Sequence, residues 1–599
     1  MRSPARVLNS LTKHSQTTEY RFERLYRILF NEEMYYLAYQ RIYAKPGNMT
    51  QGADGKTIDR MSLSRIEKLI ASLKDESYSP QPSRRMYIPK KNGKTRPLGV
   101  PSFDDKLVQE VVRMVLEAIY EGHFEDTSHG FRPHRSCHTA LNAVQKTFTG
   151  KKWFIEGDIK GFFDNVNHDI LIDILKERIS DERFIRLIRK FLKAGYLEQW
   201  QFHGTYSGMP QGGIISPILA NIYLDKLDKY MKEYASKFDK GDRGRQQREY
   251  EVLTYQKRLV MRELKTATNN VERKVLVKRL KEIDKTRSAM PCFDPMDGNF
   301  KRLKYVRYAD DFLIGIIVSK VKIKDDIKRF LADRLALELS DEKTLVTHTE
   351  KPAKFLGYEV AVRRSNLQKR NKRGSLSRVY GNKVRLKVTT EVIKKKLLEL
   401  GVLKFSYHNG HEQWIPKHRS ELINNDDLEI LDSYNAEIRG FYNYYSIANN
   451  ASELNTFHYI MQYSMYKTFA GKYRTTVRRI CQKYKRNGVF TVGYTVKNGK
   501  AKERRLYNEG FKRKRPSYDR SIDRCPNPMP GVSTTSLIDR LKARKCELCG
   551  ATDNLVMHHV RKLGELKGKE NWEKLMIARR RKTMAVCGSC HQKIHHGTF

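Results

Sequence analysis

Tyr308-Ala309-Asp310-Asp311 is flanked by Tyr305-Val306-Arg307-Tyr308 on one side and Phe312-Leu313-Ile314-Gly315-Ile316-Ile317-Val318 on the other. Aromatic and β-branched residues on both sides of a short polar turn predict a β-hairpin. Aspartate favours tight turns in any protein, so a plain turn is the bland alternative. A tip carrying two adjacent carboxylates has a further use. With a third carboxylate from another strand it can hold a pair of divalent cations, which activate an attacking oxygen and stabilise a leaving one. Trp153-Phe154-Ile155-Glu156-Gly157-Asp158 offers that third group: an apolar strand ends in Asp158, and the turn after it carries Phe163. Alone, Asp158 would read as a helix or turn cap.

Outward from these strands, Gly208-Met209-Pro210-Gln211-Gly212-Gly213 precedes Ser216-Pro217. The serine is an N-cap with proline in the first turn of the helix that follows. The glycines let backbone approach a ligand closely. Arg84 to Gly99 reads as strand, basic turn, strand, with Lys90 and Arg96 among its cations. Beside a carboxylate cleft, such a hairpin suits a clamp on triphosphate or template phosphates. Residues 105–120 predict an amphipathic helix and residues 19–43 an N-terminal helical extension. Residues 240–300 are charged and helix-prone with little apolar face, which predicts a solvated helical insertion. Residues 363–386 are basic with Gly and Ser, as in a nucleic-acid-facing loop or hairpin. Residues 387–485 read as all-helical, and aromatics such as Phe441, Tyr445 and Phe457 there are core candidates. Arg439, Lys467, Lys472, Arg474, Arg478 and Arg479 are interleaved with them and suit contact with structured RNA. Residues 486–535 are basic and proline-bearing and read as a tether with nucleic-acid-binding patches.

Composition narrows the partners. At 599 residues the chain should divide into several domains, and 39% hydrophobic residues suffice for packed cores. Lys and Arg outnumber Asp and Glu by 116 to 68, a formal net charge of +48. A chain this basic neutralises a polyanion, with nucleic acid the leading candidate. No apolar run of about 18 residues is present to span a bilayer, and the start lacks the apolar core of a secretory signal. Residues 1–18 lack acids, as an organellar transit peptide would, but helical patterning begins almost at once. Cys137, Cys292, Cys481 and Cys525 are scattered, a reducing, intracellular pattern. Together these features favour a bacterial over an organellar setting.

The end of the chain carries Cys546-Glu547-Leu548-Cys549, His558-His559, then Cys587-Gly588-Ser589-Cys590-His591 and His595. Cys546, Cys549, Cys587 and Cys590 have the spacing of a closed tetrahedral Zn²⁺ site, which in so small a segment would supply much of the folding energy. A purely structural zinc ribbon leaves the histidines unexplained. His591 and His595 lie four apart on one helix face and could converge with His558 on a second metal, leaving His559 as a general base towards water. Arg579-Arg580-Arg581-Lys582 would grip a phosphate.

Taken in order, the basic hairpin, His129-Gly130-Phe131-Arg132-Pro133, the Asp158 strand, Met209-Pro210-Gln211-Gly212, Tyr-Ala-Asp-Asp, Leu339-Ser340-Asp341-Glu342-Lys343-Thr344 and Phe355-Leu356-Gly357-Tyr358 resemble a group II intron-encoded reverse transcriptase/maturase over essentially the full length. The resemblance implies an α+β right-hand polymerase with an antiparallel palm sheet, an all-helical thumb and a C-terminal ββα-metal HNH endonuclease. The boundaries it suggests are 1–80 for the N-terminal extension and start of the fingers, 81–362 for fingers and palm, 363–485 for the thumb or domain X, 486–540 for a DNA-binding region and 541–599 for the endonuclease. It implies Mg²⁺ on Asp158, Asp310 and Asp311, and Phe163 as the gate against a ribose 2′-hydroxyl. Lys90 and Arg96 would lie near the incoming dNTP, Gln211 and Gly212 in the nucleotide and template loop, and Lys343 where pyrophosphate leaves. His558, His591 and His595 would hold the endonuclease metal, with His559 the base. Many HNH sites carry an Asn a few residues before the second Cys pair, whereas Arg581 and Lys582 stand there in this chain. The implied partners are intron RNA, target DNA and dNTPs, with no membrane.

Two alternatives belong to other classes. A splicing factor with a vestigial polymerase site would not need Asp158, Asp310 and Asp311 intact. An RNA-dependent RNA polymerase would need neither the Phe163 gate nor a DNA-cutting module.

Overall fold

In the computed structural model, residues 3–44, 47–89, 95–198, 201–205, 207–209, 211–294, 297–317, 321–363, 365, 367–370, 374, 376–378, 381–495, 501–519, 537–579 and 581–597 are described. Two sheets are built from β1 (Ser83–Pro89), β2 (Thr95–Val100), β3 (Trp153–Asp158), β4 (Tyr196–Glu198), β5 (Gln201–His203), β6 (Arg302–Tyr308), β7 (Asp311–Ile317) and β8 (Leu345–His348). The first has the order β2-β1-β4-β5, with β1 and β2 as the basic hairpin; Lys90, at its tip, lies outside the described residues. The second has the order β6-β7-β3-β8 and is antiparallel throughout. Its central strands are nearly continuous in Phe, Leu and Ile because both faces are covered. The helices Phe103–Tyr120 and Ser216–Phe238 help to close the main core with Leu107, Val111, Val115, Leu219, Tyr223 and Leu227. Residues 240–300 form the expected insertion, a pair of helices, Arg248–Thr266 and Asn270–Ala289, joined by a small seam of Val260, Ala267, Leu276 and Ile283.

Downstream, the structure departs from two expectations. Residues 387–485 are not all-helical. Between the helices Thr390–Glu399 and Asp427–Tyr445 lies an antiparallel hairpin, Leu403–His408 with His411–Pro416. Its alternating Phe405, Tyr407 and Trp414 carry a period of two that helical patterning on either side conceals. Nor is the segment after residue 485 a tether as far as residue 519. Lys485–Arg486, Val489–Thr495 and Ala501–Arg505 form a three-stranded sheet, and its Phe490 and Val492, with Leu506, Tyr507 and Phe511 just beyond it, enter the same core as Phe441, Tyr445 and Phe457. Phe441 and Phe457 stack at 4.3 Å between ring centroids. Lys467 and Lys472 donate to the carbonyls of Pro416 and Asn425, so these two cations cap the domain, whereas Arg474, Arg478 and Arg479 stay exposed. Among the described residues no helix is long and apolar enough to cross a membrane.

The C-terminal module is an antiparallel pair, Leu555–His559 with Thr583–Cys587, followed by the helix Gly588–His596. It is not a separate body on a string. Leu537, Ile538, Leu541, Met557 and Ala585 belong to the same apolar cluster as Met34, Tyr35 and Ile58 near the N-terminus. The Met557 N–H donates to the Met61 carbonyl at 2.8 Å, so the two ends of the chain meet through backbone as well as side chains.

Candidate active sites

The acidic turn forms where the sequence puts it, with Ala309 at φ 56° between β6 and β7. In the β3–β7 register Asp158 faces Asp311 across the sheet, and Asp310 stands next to Asp311 at the hairpin tip. Three carboxylates from distant parts of the chain thus share one end of one sheet. Desolvation, followed by the Asp310 and Asp158 charges, pushes Asp311 up to about 7. Asp310 is raised as well, by desolvation and then by Asp158, although the positive charges of Arg96 and Lys343 act against the rise. Such crowding of negative charge is what a cation relieves. Unlike the four cysteines described below, the three carboxylates do not all lie within 4.8 Å of one another.

The support beneath the turn was not foreseen from the sequence. Arg307, fully buried one strand position before the turn, donates from Nε to Asp228 Oδ1 at 2.8 Å and from Nη2 to Asp228 Oδ2 at 2.5 Å. Its Nη1 donates to the Ala309 carbonyl at 2.8 Å and its Nη2 to Ser128 Oγ at 2.7 Å. The backbone of residues 127–129 runs alongside: the Arg307 N–H donates to the Thr127 carbonyl at 2.8 Å, and the His129 N–H to the Arg307 carbonyl at 2.9 Å. A Cβ on Gly130 would lie 2.3 Å from the Ala309 nitrogen, so only glycine lets this segment pass under the turn. The signal in the sequence was an arginine two positions from Tyr305 and four from Leu303 in a strand that also carries Arg302 and Lys304, so that its charge reads as solvent-facing like theirs.

Of the remaining predicted residues, Lys343 and Arg96 bring positive charge to the carboxylates, whereas Phe163 and Gln211 line a separate cavity. Lys343 Nζ lies 2.7 Å from Asp158 Oδ2, and this hydrogen bond holds its pKa above the usual lysine range. The loop that carries it is pinned by the Ser340 N–H donating to the Asp158 carbonyl at 2.8 Å. Arg96 is exposed on β2. Phe163 and Gln211 line a cavity of about 340 Å³ together with Arg85, Pro97, Gly99 and Met209. Gly212 has φ 116°, and a Cβ there would meet the Gly99 carbonyl oxygen at 2.4 Å; the Gly99 N–H in turn donates to the Gln211 carbonyl at 2.7 Å. The glycine loop is therefore fastened to the basic hairpin.

In the C-terminal module Cys546, Cys549, Cys587 and Cys590 place their sulfurs within 4.8 Å of one another, with Cys549 and Cys587 Sγ 3.7 Å apart. Zn–S bonds of about 2.3 Å in a tetrahedron require S···S separations near that value. Cys549 and Cys590 N–H groups donate to Cys546 and Cys587 Sγ at 3.4 and 3.5 Å, which favours thiolates. The cluster fits zinc.

A second group joins His558, His591 and His595 to a residue the sequence did not flag, Asp59. Asp59 Oδ2 lies 3.0 Å from both His591 Nε2 and His595 Nε2, and Oδ1 accepts from the His559 backbone N–H at 2.8 Å. Burial would raise the Asp59 pKa, but the His591 hydrogen bond and the neighbouring histidines hold it well below the carboxylate range. His559 departs from the role expected of it. Its ring is buried, with Nδ1 3.1 Å from the Met557 carbonyl and Nε2 3.1 Å from the Tyr39 hydroxyl. Burial pushes its pKa down to about 4. In this arrangement it faces a tyrosine and not water, because the N-terminal helix Glu32–Ile42 covers it. Arg579 pairs with Glu547 inside the module, Arg580 lies outside the described residues, and Lys582 is exposed, so the expected phosphate grip is not a single patch.

Acidic residues clustered at one end of an antiparallel sheet, beneath a basic hairpin, define a palm-type polymerase, here with a cysteine- and histidine-bearing module at its end. Residues 88–255 match the reverse transcriptase (RNA-dependent DNA polymerase) family, 382–515 the type II intron maturase family and 546–591 the AI2M/AI1M-like HNH endonuclease family. The group II intron-encoded protein LtrA of Lactococcus lactis subsp. cremoris is 44% identical over the whole of both chains. A putative COX1/OXI3 intron 1 protein of Saccharomyces cerevisiae is 34% identical, covering 96% of this chain and 69% of its own. A telomerase structure from Candida albicans aligns with 69% of this chain and 58% of its own at 11% identity and a TM-score of 0.35, too slight a likeness to bear on the assignment. The chain belongs to the group II intron-encoded proteins, which combine a reverse transcriptase, a maturase domain and an HNH endonuclease domain.

Proposed function

We propose that Asp158, Asp310 and Asp311 hold two Mg²⁺ ions and that this centre extends a DNA primer on an RNA template. The pairing of Asp158 with Asp311 across β3 and β7, with Asp310 beside it, carries the reading. All-oxygen carboxylate donors suit Mg²⁺. When bound, the metal supplies charge neutralisation at the phosphoryl centre and activates the attacking hydroxyl. The chain's own residues do the positioning. Arg307 fixes the turn, Gly212 and Gln211 join the template loop to the basic hairpin, and Phe163, which lines a cavity with Gln211, would set its ring against a ribose 2′-hydroxyl. Arg96 brings positive charge towards the triphosphate, as does Lys90, which is assigned from the sequence alone. Lys343, paired with Asp158, would turn its ammonium group towards the departing pyrophosphate.

In the same reading the four cysteines would hold a structural Zn²⁺, and His558, His591 and His595 would hold a metal supplying Lewis-acid chemistry for the cleavage of target DNA that exposes a primer. His559 serves as base only after the Tyr39 contact opens. Arg474, Arg478 and Arg479 on the thumb grip intron RNA and aid its splicing, and binding weakens steeply with salt because many phosphates are neutralised. Primer extension tests the polymerase assignment: Asp310→Ala/Asp311→Ala should abolish cDNA synthesis and leave RNA binding intact. Full synthesis by that variant dismisses it. Intron RNA binding with no extension by the parent protein would favour the vestigial splicing factor instead.

A further inference from the structure

The histidine cluster contains one protein ligand too many to be explained by the C-terminal module alone. Asp59 belongs to the N-terminal segment, some five hundred positions away, as its contacts with His591 and His595 span 532 and 536 residues. Its carboxylate oxygens and the nitrogens of His558, His591 and His595 lie within 4.8 Å of one another. The two distances from Asp59 Oδ2, to His591 Nε2 and His595 Nε2, are 3.0 Å, near the edge of about 3.3 Å between donors each about 2.05 Å from a tetrahedral metal, and Asp59 Oδ1 lies 3.6 Å from His558 Nδ1. His558 points independently to a ligand. Its side chain is 4% exposed, yet neither ring nitrogen has a hydrogen-bond partner. Buried imidazole nitrogens left in that state are rare unless something occupies the space they face.

Asp59 is held in place by more than these contacts. Ile58 and Met61 on either side are buried in the apolar cluster that includes Met557 and Leu541, and the Met61 carbonyl accepts from the Met557 N–H. The Asp59 carboxylate also accepts from the His559 backbone, which fixes its orientation. Beside it opens a cleft of about 1,140 Å³ between the two ends of the chain, lined by Lys56, Arg60, Lys68, Arg84, Arg561 and the half-exposed His595. A DNA phosphate in that cleft would meet the cluster at His595.

We propose that Asp59 is the fourth protein ligand of the nuclease metal, so that the docked N-terminal segment fills the coordination position a substrate phosphate would take and holds the centre closed. This rests on the reading of His558, His591 and His595 as metal ligands, and it adds a donor from outside the HNH domain. The arrangement would hold the nuclease shut until the N-terminal segment moves away, in the same sense as the Tyr39 contact that covers His559.

Co²⁺ titrated into the zinc-loaded full-length protein tests it by visible absorption. A four-coordinate histidine–carboxylate site absorbs far more strongly than a six-coordinate all-oxygen site such as the palm, and it lacks the thiolate charge-transfer band of a cysteine site. The parent should show one such band per chain, and His591→Ala should lose it. Asp59→Asn should shift the band and weaken Co²⁺ binding at least tenfold, and Asp59→Glu should recover much of the affinity. Zinc content of one per chain in each variant confirms that the module is folded. An Asp59→Asn protein that binds Co²⁺ as tightly as the parent with the same spectrum, or more tightly, overturns the proposal while the His591-dependent band leaves the nuclease reading standing. A band that His591→Ala does not change, or no band at all, overturns both.

Discussion

Arg307→Met removes the cation under the acidic turn while keeping a side chain of similar length. Arg307 and Asp228 are both fully buried, and the pair is joined by two hydrogen bonds of 2.8 and 2.5 Å. Without the guanidinium, Asp228 keeps the Tyr305 hydroxyl at 2.9 Å as its remaining named partner in a site closed to water. Breaking a buried pair from one side costs about 3–5 kcal/mol, because a charge is left uncompensated. Hydrogen exchange of peptides covering β6 and β7 reads that cost locally, as opening that becomes roughly two to three and a half powers of ten more frequent. Primer extension should fall with it, since the Ala309 carbonyl loses its donor. Adding Asp228→Leu removes the orphaned charge and should restore most of the exchange protection. It should not restore synthesis, because nothing then holds the Ala309 carbonyl. Arg307→Met with exchange within about 0.5 kcal/mol of the parent would refute the reasoning, and so would a double variant that polymerises normally.

Phe163→Ala should admit ribonucleotides in competition primer extension, and unchanged sugar selectivity would remove the gate from Phe163. Cys587→Ser should lose the zinc and with it the protease resistance of the C-terminal module, measured by zinc content and limited proteolysis, since the metal organises so small a core. Asp105, buried and bonded to the Tyr78 hydroxyl at 2.6 Å, is pushed up to about 7 chiefly by burial. Because its folded pKa lies above the unfolded one, its contribution to stability is complete below the ordinary carboxylate pKa near 4 and is lost as pH climbs through 7, about 4 kcal/mol at full ionisation. Asp105→Asn should flatten that part of the stability-versus-pH curve in denaturant unfolding; an unchanged slope would exclude Asp105 as its source.

The acidic turn and the Asp158 strand were legible because their signals are local. Two aspartates at a hairpin tip and one at a strand end announce themselves in short strings, and the β3–β7 register brings them together. The cysteine pairs were legible for the same reason. What escaped notice depends on long-range packing. Asp59 sits in a loop with no metal-ligand spacing around it, and only the shared core of Ile58, Met61 and Met557 carries it to the histidines. Tyr39, which covers His559, reads in sequence as one more aromatic on an amphipathic helix. Arg307 alternates in step with Leu303 and Tyr305, but its charge reads as solvent-facing like that of Arg302 and Lys304. The sheet after residue 485 was hidden by its basic composition, which signals a tether until Phe490, Val492, Leu506 and Tyr507 are seen to share one core. Charge marks the nucleic-acid class of partner, but it does not say which cations are already committed, as Lys467 and Lys472 are.

The claim on which the rest depends is that carboxylates from β3 and from the β6–β7 turn bind the same metal pair. Fe²⁺ substituted for Mg²⁺, with ascorbate and peroxide, cleaves a polypeptide beside the sites that hold the iron, and mass spectrometry locates the cuts. The account predicts cleavage near both Asp158 and Asp310, suppressed by excess Mg²⁺ and lost together in Asp158→Asn. Cuts near one segment only, or cuts near Asp310 that persist undiminished in Asp158→Asn, would contradict it.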